Sequence, residues 1–162
     1  MIGFDVIRLK VPAMNRLFTW IFRPVMRETE LQRVSGATSM LAGVTLIILI
    51  YPKVSVLLAL LFLATADPLA SYFGIRYGRD KLIGEKSVQG SFAAFTACFV
   101  LAIAYFWAGD LMMERLFIVS LLAGLIGAVS ELTPIGRLDD NFVFPVLSAT
   151  LLTGLLYVFG GL

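Results

Sequence analysis

The sequence predicts an all-α integral membrane protein of about five transmembrane helices, preceded by an amphipathic N-terminal region. Three observations carry that expectation. Hydrophobic residues fill 59% of the 162 positions and charged residues only 15%, where soluble domains sit near about 45–50% and about 25%. The apolar residues gather into five segments, at 35–51, 54–75, 90–109, 115–133 and 142–161, each close to the ~20 residues that cross ~30 Å of hydrocarbon. The charges fall between those segments, and mostly on one side.

Residues 1–34 lack an apolar run of spanning length. Ile2, Phe4, Val6, Ile7, Leu9, Leu17, Phe18, Trp20, Ile21 and Phe22 are interleaved with Arg8, Lys10, Arg16, Arg23 and Arg27. That pattern fits one or two helices lying in the membrane interface, broken near Pro12 and Pro24. The alternative, a solvated arm, would leave the aromatic residues in water. No signal peptide is expected, because these residues hold no short apolar core ahead of a cleavage site. Residues 35–162 then form a single transmembrane domain, the part that would carry any catalysis. Tyr51-Pro52-Lys53 is a tight turn between the first two spans, and Gly109-Asp110 separates the third from the fourth.

Lysine and arginine counts set the orientation. The N-terminal arm has six, the 76–89 loop four and the 134–141 loop one, against Lys53 and Arg115 alone on the other side. Eleven of thirteen therefore share one side, which the positive-inside rule makes cytoplasmic. The protein is expected in the cytoplasmic (inner) membrane with its N-terminus inside. The net charge of +2 says little by itself, and no nucleic-acid partner is expected.

Composition also removes chemistries. There is no histidine, which excludes Ser-His and Cys-His triads, histidine-held zinc or haem, and imidazole acid–base catalysis. The single cysteine, Cys98, forms no internal disulfide and suits core packing. Phosphoryl transfer survives these exclusions, since it needs positioned carboxylates, cations and Mg²⁺.

The polar residues hardest to explain structurally all come out toward the predicted cytoplasmic side. Asp67 lies in an apolar segment, where a charge costs roughly 2.5–3.5 kcal/mol on insertion scales. Pro68 follows it, so a kinked or broken second span is expected. Ser71 and Gly74 share the Asp67 face. Asp67 is a candidate for catalysis or metal binding; it could instead cap a half-helix after the break. The loop beyond it holds Arg76, Arg79, Lys81 and Lys86, then Ser87, Gly90 and Ser91 where the third span begins. It departs from G-x-x-x-x-G-K-[ST], because five residues separate Gly78 from Gly84 and Glu85 precedes Lys86-Ser87. Cations beside a helix N-terminus still suit an anion, and lipid headgroups are the plainer partner for the same cations.

Glu131 ends the fourth span on the face of Gly124 and Gly127, a small-residue ridge that permits close helix approach. It is a second catalytic candidate, or a simple ion-pair partner of Arg33 or Arg137. Asp139-Asp140-Asn141 opens the fifth span one turn before Pro145. These are hard oxygen ligands suited to Mg²⁺ held together with substrate phosphates, or else an acidic surface turn.

These residues resemble a family, the CTP-dependent lipid alcohol kinases, which comprises dolichol, phytol and farnesol kinases and fungal-type diacylglycerol kinase. The resemblance rests on Asp67-Pro68-x-Ala70 with Gly74, Gly78-Arg79 and Lys81, then Gly84-x-Lys86-Ser87 with Gly90-Ser91, and finally Glu131 and Asp139-Asp140-Asn141 with Pro145. Arg33-x-Ser35-Gly36-Ala37-Thr38 is similar to the start of compact prokaryotic members. Ala66 departs from the glycine usual before the aspartate.

The resemblance implies transfer of the γ-phosphoryl group of CTP to a membrane lipid alcohol such as diacylglycerol, a polyprenol or a phytol-like alcohol, at the cytoplasmic face. It implies Mg²⁺ on Asp139 and Asp140, with Glu131 as a further candidate. Lys86 and Arg79 would neutralise phosphates, and Asp67 would accept the alcohol proton or bind a second metal. An apolar groove between spans would hold the lipid tail, and a homodimer could complete it. The rival readings are a phosphatidate cytidylyltransferase-like enzyme and a small non-catalytic transporter. A late run of glycines and histidine before paired aspartates would mark the first and is missing; polar residues on both sides and at the midplane would mark the second.

Overall fold

A computed structural model describes residues 5, 7, 9–22, 34–136 and 138–162 of the chain. Ile2, Phe4, Val6, Arg8, Arg23, Pro24, Arg27, Arg33 and Arg137, used above for the interfacial arm and the charge count, lie outside the described residues. The described helices are α1 (Pro12–Phe22), α2 (Gly36–Ile50), α3 (Lys53–Tyr77), α4 (Val88–Ala108), α5 (Leu116–Leu132) and α6 (Asp140–Phe159). Four of them, α3, α4, α6 and α5 together with the 3₁₀ turn Met113–Arg115 that leads into it, are long and apolar enough to span a membrane. Helix α2 has 15 residues, a rise of about 22 Å at about 1.5 Å per residue. It falls short of the hydrocarbon thickness by length alone, and so is the shortest of the five expected apolar helices.

The protein is an integral membrane protein, and its surface shows it. Ile75 is 88% exposed and Tyr157 80% exposed, each projecting from the middle or end of an apolar helix. Side chains of this kind are at home against lipid rather than water. The interior is built largely from small residues: Ala59, Ala66, Ala70, Ala94, Ala102, Ala123 and Ala149 are buried, with Phe62, Phe106, Leu152 and Leu156 filling the remaining space. Where the driving force between helices is packing rather than exclusion of water, small residues let backbones approach. At Gly127 the approach is closest, because a side chain there would meet Cys98, which is buried as expected.

Helix α3 packs along α4, α4 along α5, and α6 fills the space between α2, α3 and α5. Gly43 of α2 sits against α6, where an added Cβ would lie 3.1 Å from the Phe142 carbonyl and 3.2 Å from the Pro145 ring. The start of α2 is fixed by Ser35, whose hydroxyl accepts from the Thr38 backbone N–H. Buried Asp5 in turn accepts from the Ser35 N–H and hydroxyl, both at 3.0 Å, tying the N-terminal region to the first apolar helix.

Two expectations need correction. The second span is not broken at Pro68: α3 runs uninterrupted for 25 residues with the proline inside it. The proline removes one backbone hydrogen bond, but buried Ala66 and Ala70 on either side hold the helix on its neighbours. The 76–89 loop is not irregular throughout either. Strands β1 (Lys81–Ile83) and β2 (Lys86–Ser87) pair antiparallel, with Ile83 opposite Lys86. Gly84 makes the two-residue turn possible, adopting φ +57°, a left-handed conformation that favours glycine.

Candidate active site

The end of α3, the hairpin, the start of α4, the end of α5 and the start of α6 converge at one end of the bundle. They enclose a basin of about 360 Å³, within the size range of small-molecule sites. Asp67, Ser71 and Gly74 line it from α3, Lys81, Lys86 and Ser87 from the hairpin, and Gly90 and Ser91 from α4. Glu131 closes it from α5, and Asp140 and Asn141 from α6. Nine of the twelve candidate residues read from the sequence therefore meet in one cavity, although they are spread over 75 positions of chain.

Glycines bring α3 and α4 close enough to form the basin floor. An added Cβ at Gly90 would lie 2.7 Å from the Ala70 carbonyl, and one at Gly74 would lie 3.2 Å from the Ser87 hydroxyl. Ser87 is buried at this seam and caps α4, its hydroxyl accepting from the Gly90 N–H at 3.2 Å. The Ser91 hydroxyl donates back to the Ser87 carbonyl at 3.1 Å. The two serines thus shape the start of α4 and leave the basin with a fixed wall.

Lys86 occupies the centre. Its ammonium lies 2.8 Å from Glu131 Oε1, 3.0 Å from the Glu131 carbonyl and 3.4 Å from Asp140 Oδ2. Burial by itself would lower the Lys86 pKa, but the hydrogen bond and charge of Glu131, with Asp140 behind them, shift it above its ordinary value. Lys86 is therefore a fixed cation at neutral pH. The Glu131 carboxylate is almost fully buried, and its second oxygen, Oε2, makes no hydrogen bond, nor does the buried hydroxyl of Ser130. Both residues line a void of about 10 Å³ beneath the basin, together with Asp67, Lys86, Thr133 and Asp140. That is the scale of one water molecule or ion.

The basin is acidic on balance: Asp67, Glu85, Glu131 and Asp140 face it, against Lys81 and Lys86, leaving two negative charges over. Lys81 is turned partly away, donating to the Glu85 carbonyl at 2.7 Å. Among the described residues no three acidic, cysteine or histidine side chains form a ready-made metal cage.

Three candidates stand outside the basin. Asp139 caps α6, accepting from the Asn141 N–H at 2.9 Å, so it orients Asp140 and Asn141 rather than facing the cavity. Arg76 and Arg79 line an adjoining recess of about 410 Å³ with Tyr77, Gly78 and Gln89. Sequence reasoning did not pair Lys86 with Glu131, and it offered Arg33 or Arg137 instead, both outside the described residues. It also passed over Ser130, where a hydroxyl beside Glu131 in an apolar span was the available signal, and Gln89, whose amide bridges the Arg79 N–H and Asp80.

No protein-family model matches the chain, and no solved structure matches it significantly. Curated relatives do. The chain is 33% identical over 159 residues to a protein of Schizosaccharomyces pombe named CTP-dependent diacylglycerol kinase 1, covering 91% of this chain and 72% of that protein. Proteins of the same name from Saccharomyces cerevisiae and Eremothecium gossypii are 30% and 33% identical. These matches cover 96% and 90% of this chain and 60% and 52% of the relatives.

Proposed function

The chain belongs to the family of the CTP-dependent diacylglycerol kinases, and on that premise we propose that it transfers the γ-phosphoryl group of CTP to the hydroxyl of a membrane lipid alcohol. Diacylglycerol is the leading acceptor, because it is the one in the relatives' names. One observation supports this reading above the others. A buried carboxylate, a fixed lysine and an exposed aspartate are clustered at the membrane end of apolar helices, in a basin that Asp67 also faces.

The residues divide the work as follows. Lys86, and Lys81 at the rim, neutralise the triphosphate, and the Gly90–Ser91 start of α4 offers it the positive end of a helix. Asp67 takes the proton from the lipid hydroxyl as its oxygen bonds to the γ-phosphorus. The bond from that phosphorus to the β-γ bridging oxygen breaks, and CDP leaves. The donor set suits Mg²⁺: Asp140, Asn141 and Glu131 are hard oxygen ligands, and Glu131 Oε2 is a buried acceptor without a partner. Among the described residues these ligands do not close into a cage, and an ion held there would share its coordination with substrate phosphates. When bound, Mg²⁺ would draw charge from the β- and γ-phosphates. Asp139 would hold Asp140 and Asn141 in register. The charge count supports a basin facing the cytoplasm, where nucleotides are.

The Asp67→Asn variant tests the assignment. Lipid phosphate formation from CTP should fall by about 10²-fold or more, the usual scale of a lost general base, with the protein still folded. A variant working at the wild-type rate would remove Asp67 from the chemistry.

A further inference from the structure

A second cavity lies on the other face of α3. It is an apolar groove of about 970 Å³ between α3 and α4, walled by Leu69, Phe73 and Tyr77 on one side and Phe92 and Thr96 on the other. On α3 the groove residues recur every four positions, whereas Asp67, Ala70, Ser71, Gly74 and Gly78 face the basin. At about 100° per residue the centres of these two sets lie about 130° apart around the helix, with Asp67 about 120° or more from Leu69 and Phe73. The body of α3 and its close seam with α4 at Gly90 separate them. A lipid alcohol seated in the groove would therefore present its hydroxyl away from Asp67. The groove does not suit the acceptor.

Its upper end shows what it does suit. Tyr77 and Gln89 belong both to the groove and to the recess lined by Arg76 and Arg79, so the apolar channel opens into a cationic one. The Arg76 guanidinium is placed over the Tyr77 ring, 5.7 Å from its centroid. The Arg79 backbone N–H is held by Gln89 Oε1 at 3.2 Å, with Gln89 in turn on Asp80. Among the described residues no carboxylate pairs with either guanidinium. Two arginines in a recess that opens from an apolar channel, neither paired with a carboxylate among the described residues, match an amphiphile with a phosphate head and long tails.

We propose that this groove and recess form a binding site for an anionic phospholipid with a phosphomonoester head, of the phosphatidate type, beside the catalytic basin, which the recess meets at Gly78. Arg76 and Arg79 hold its phosphate, and Phe73, Tyr77 and Phe92 flank its tails. The site stands without the catalytic reading, since it makes no use of the basin.

The test uses the purified full chain in phosphatidylcholine nanodiscs and two probes with the same photoreactive acyl chain, one a phosphatidate and one a phosphatidylcholine. The phosphatidate probe should label peptides holding Phe73, Phe92 and Thr96 about thirtyfold more strongly, the fold-change that corresponds to about 1 kcal/mol for each of the two arginines. Unlabelled phosphatidate should compete. The Arg76→Gln/Arg79→Gln double variant should lose the preference while binding a non-hydrolysable CTP analogue as the wild type does. Equal labelling by the two probes in the wild type overturns the proposal, and that comparison needs no variant. So does a double variant that keeps the preference, or one that loses the nucleotide analogue instead. Groove labelling replaced by chain-to-chain crosslinks would assign the surface to a second copy. None of these readouts depends on turnover, so the lipid site and the kinase reading fail independently.

Discussion

Lys86 and Glu131 make a pair whose energetics can be worked from the structure. The Glu131 side chain is 5% exposed and that of Lys86 28%. Removing one partner of a buried ion pair leaves the other charge uncompensated and costs about 3–5 kcal/mol. The partial exposure of Lys86 places Lys86→Met near the lower bound, about 3 kcal/mol. Glu131→Gln keeps an acceptor for the ammonium, and Asp140 remains 3.4 Å away, so its loss should be smaller, about 1–2 kcal/mol. In the double variant the uncompensated charge disappears. The combined loss should fall short of the sum by about 2 kcal/mol, within the range found for residues in contact. Lys86→Arg, which keeps the charge, should remain near the wild type. Unfolding of the four proteins in mixed micelles gives the cycle directly. Additivity to within about 0.5 kcal/mol, the behaviour of distant sites, would refute the view that Lys86 is anchored by Glu131.

The glycines at the seam and the turn should part company. Gly90→Ala places a Cβ against the Ala70 backbone carbonyl, so α3 and α4 must separate, at about 1–3 kcal/mol for overpacking and with loss of lipid phosphorylation. Gly84→Ala meets open space but must hold φ +57°, which costs about 1–2 kcal/mol and leaves the seam alone; comparing unfolding midpoints and activity of both variants checks the contrast. Asp139→Ala removes the α6 cap, worth about 1 kcal/mol, and should raise KM for Mg²⁺–CTP more than it lowers kcat, as a titration of both substrates would show.

The fold was largely legible because spanning helices are set by length and hydropathy, which a sequence displays openly. Four of the five apolar segments form helices of spanning length, and α2 fills the expected 35–51 segment between its caps Ser35 and Tyr51, a segment shorter than the others. Of the kink or break expected at Pro68 the break does not occur, because a missing hydrogen bond is a local fact, while the packing of Ala66 and Ala70 that keeps the helix continuous is tertiary. The basin was legible as a set of residues, since each carboxylate or lysine in or beside an apolar span demanded a reason. Its internal geometry was not. Lys86 and Glu131 are 45 positions apart, and nothing local indicates that a loop lysine folds over the end of α5. In the sequence Arg76 and Arg79 read as phosphate ligands alongside Lys86; Arg76 in the last turn of α3 and Arg79 just beyond its end line the recess beside Tyr77 rather than the basin.

The central claim concerns which bond of the nucleotide breaks. Purified protein given diacylglycerol, Mg²⁺ and CTP labelled at either the α- or the γ-phosphorus, with lipid and nucleotide products separated, answers it. The account predicts γ-label in a lipid phosphate, CDP released in equal amount, and no α-label in lipid. Lipid carrying the α-label, with pyrophosphate released, would contradict it and make the basin the site of a cytidylyl transfer.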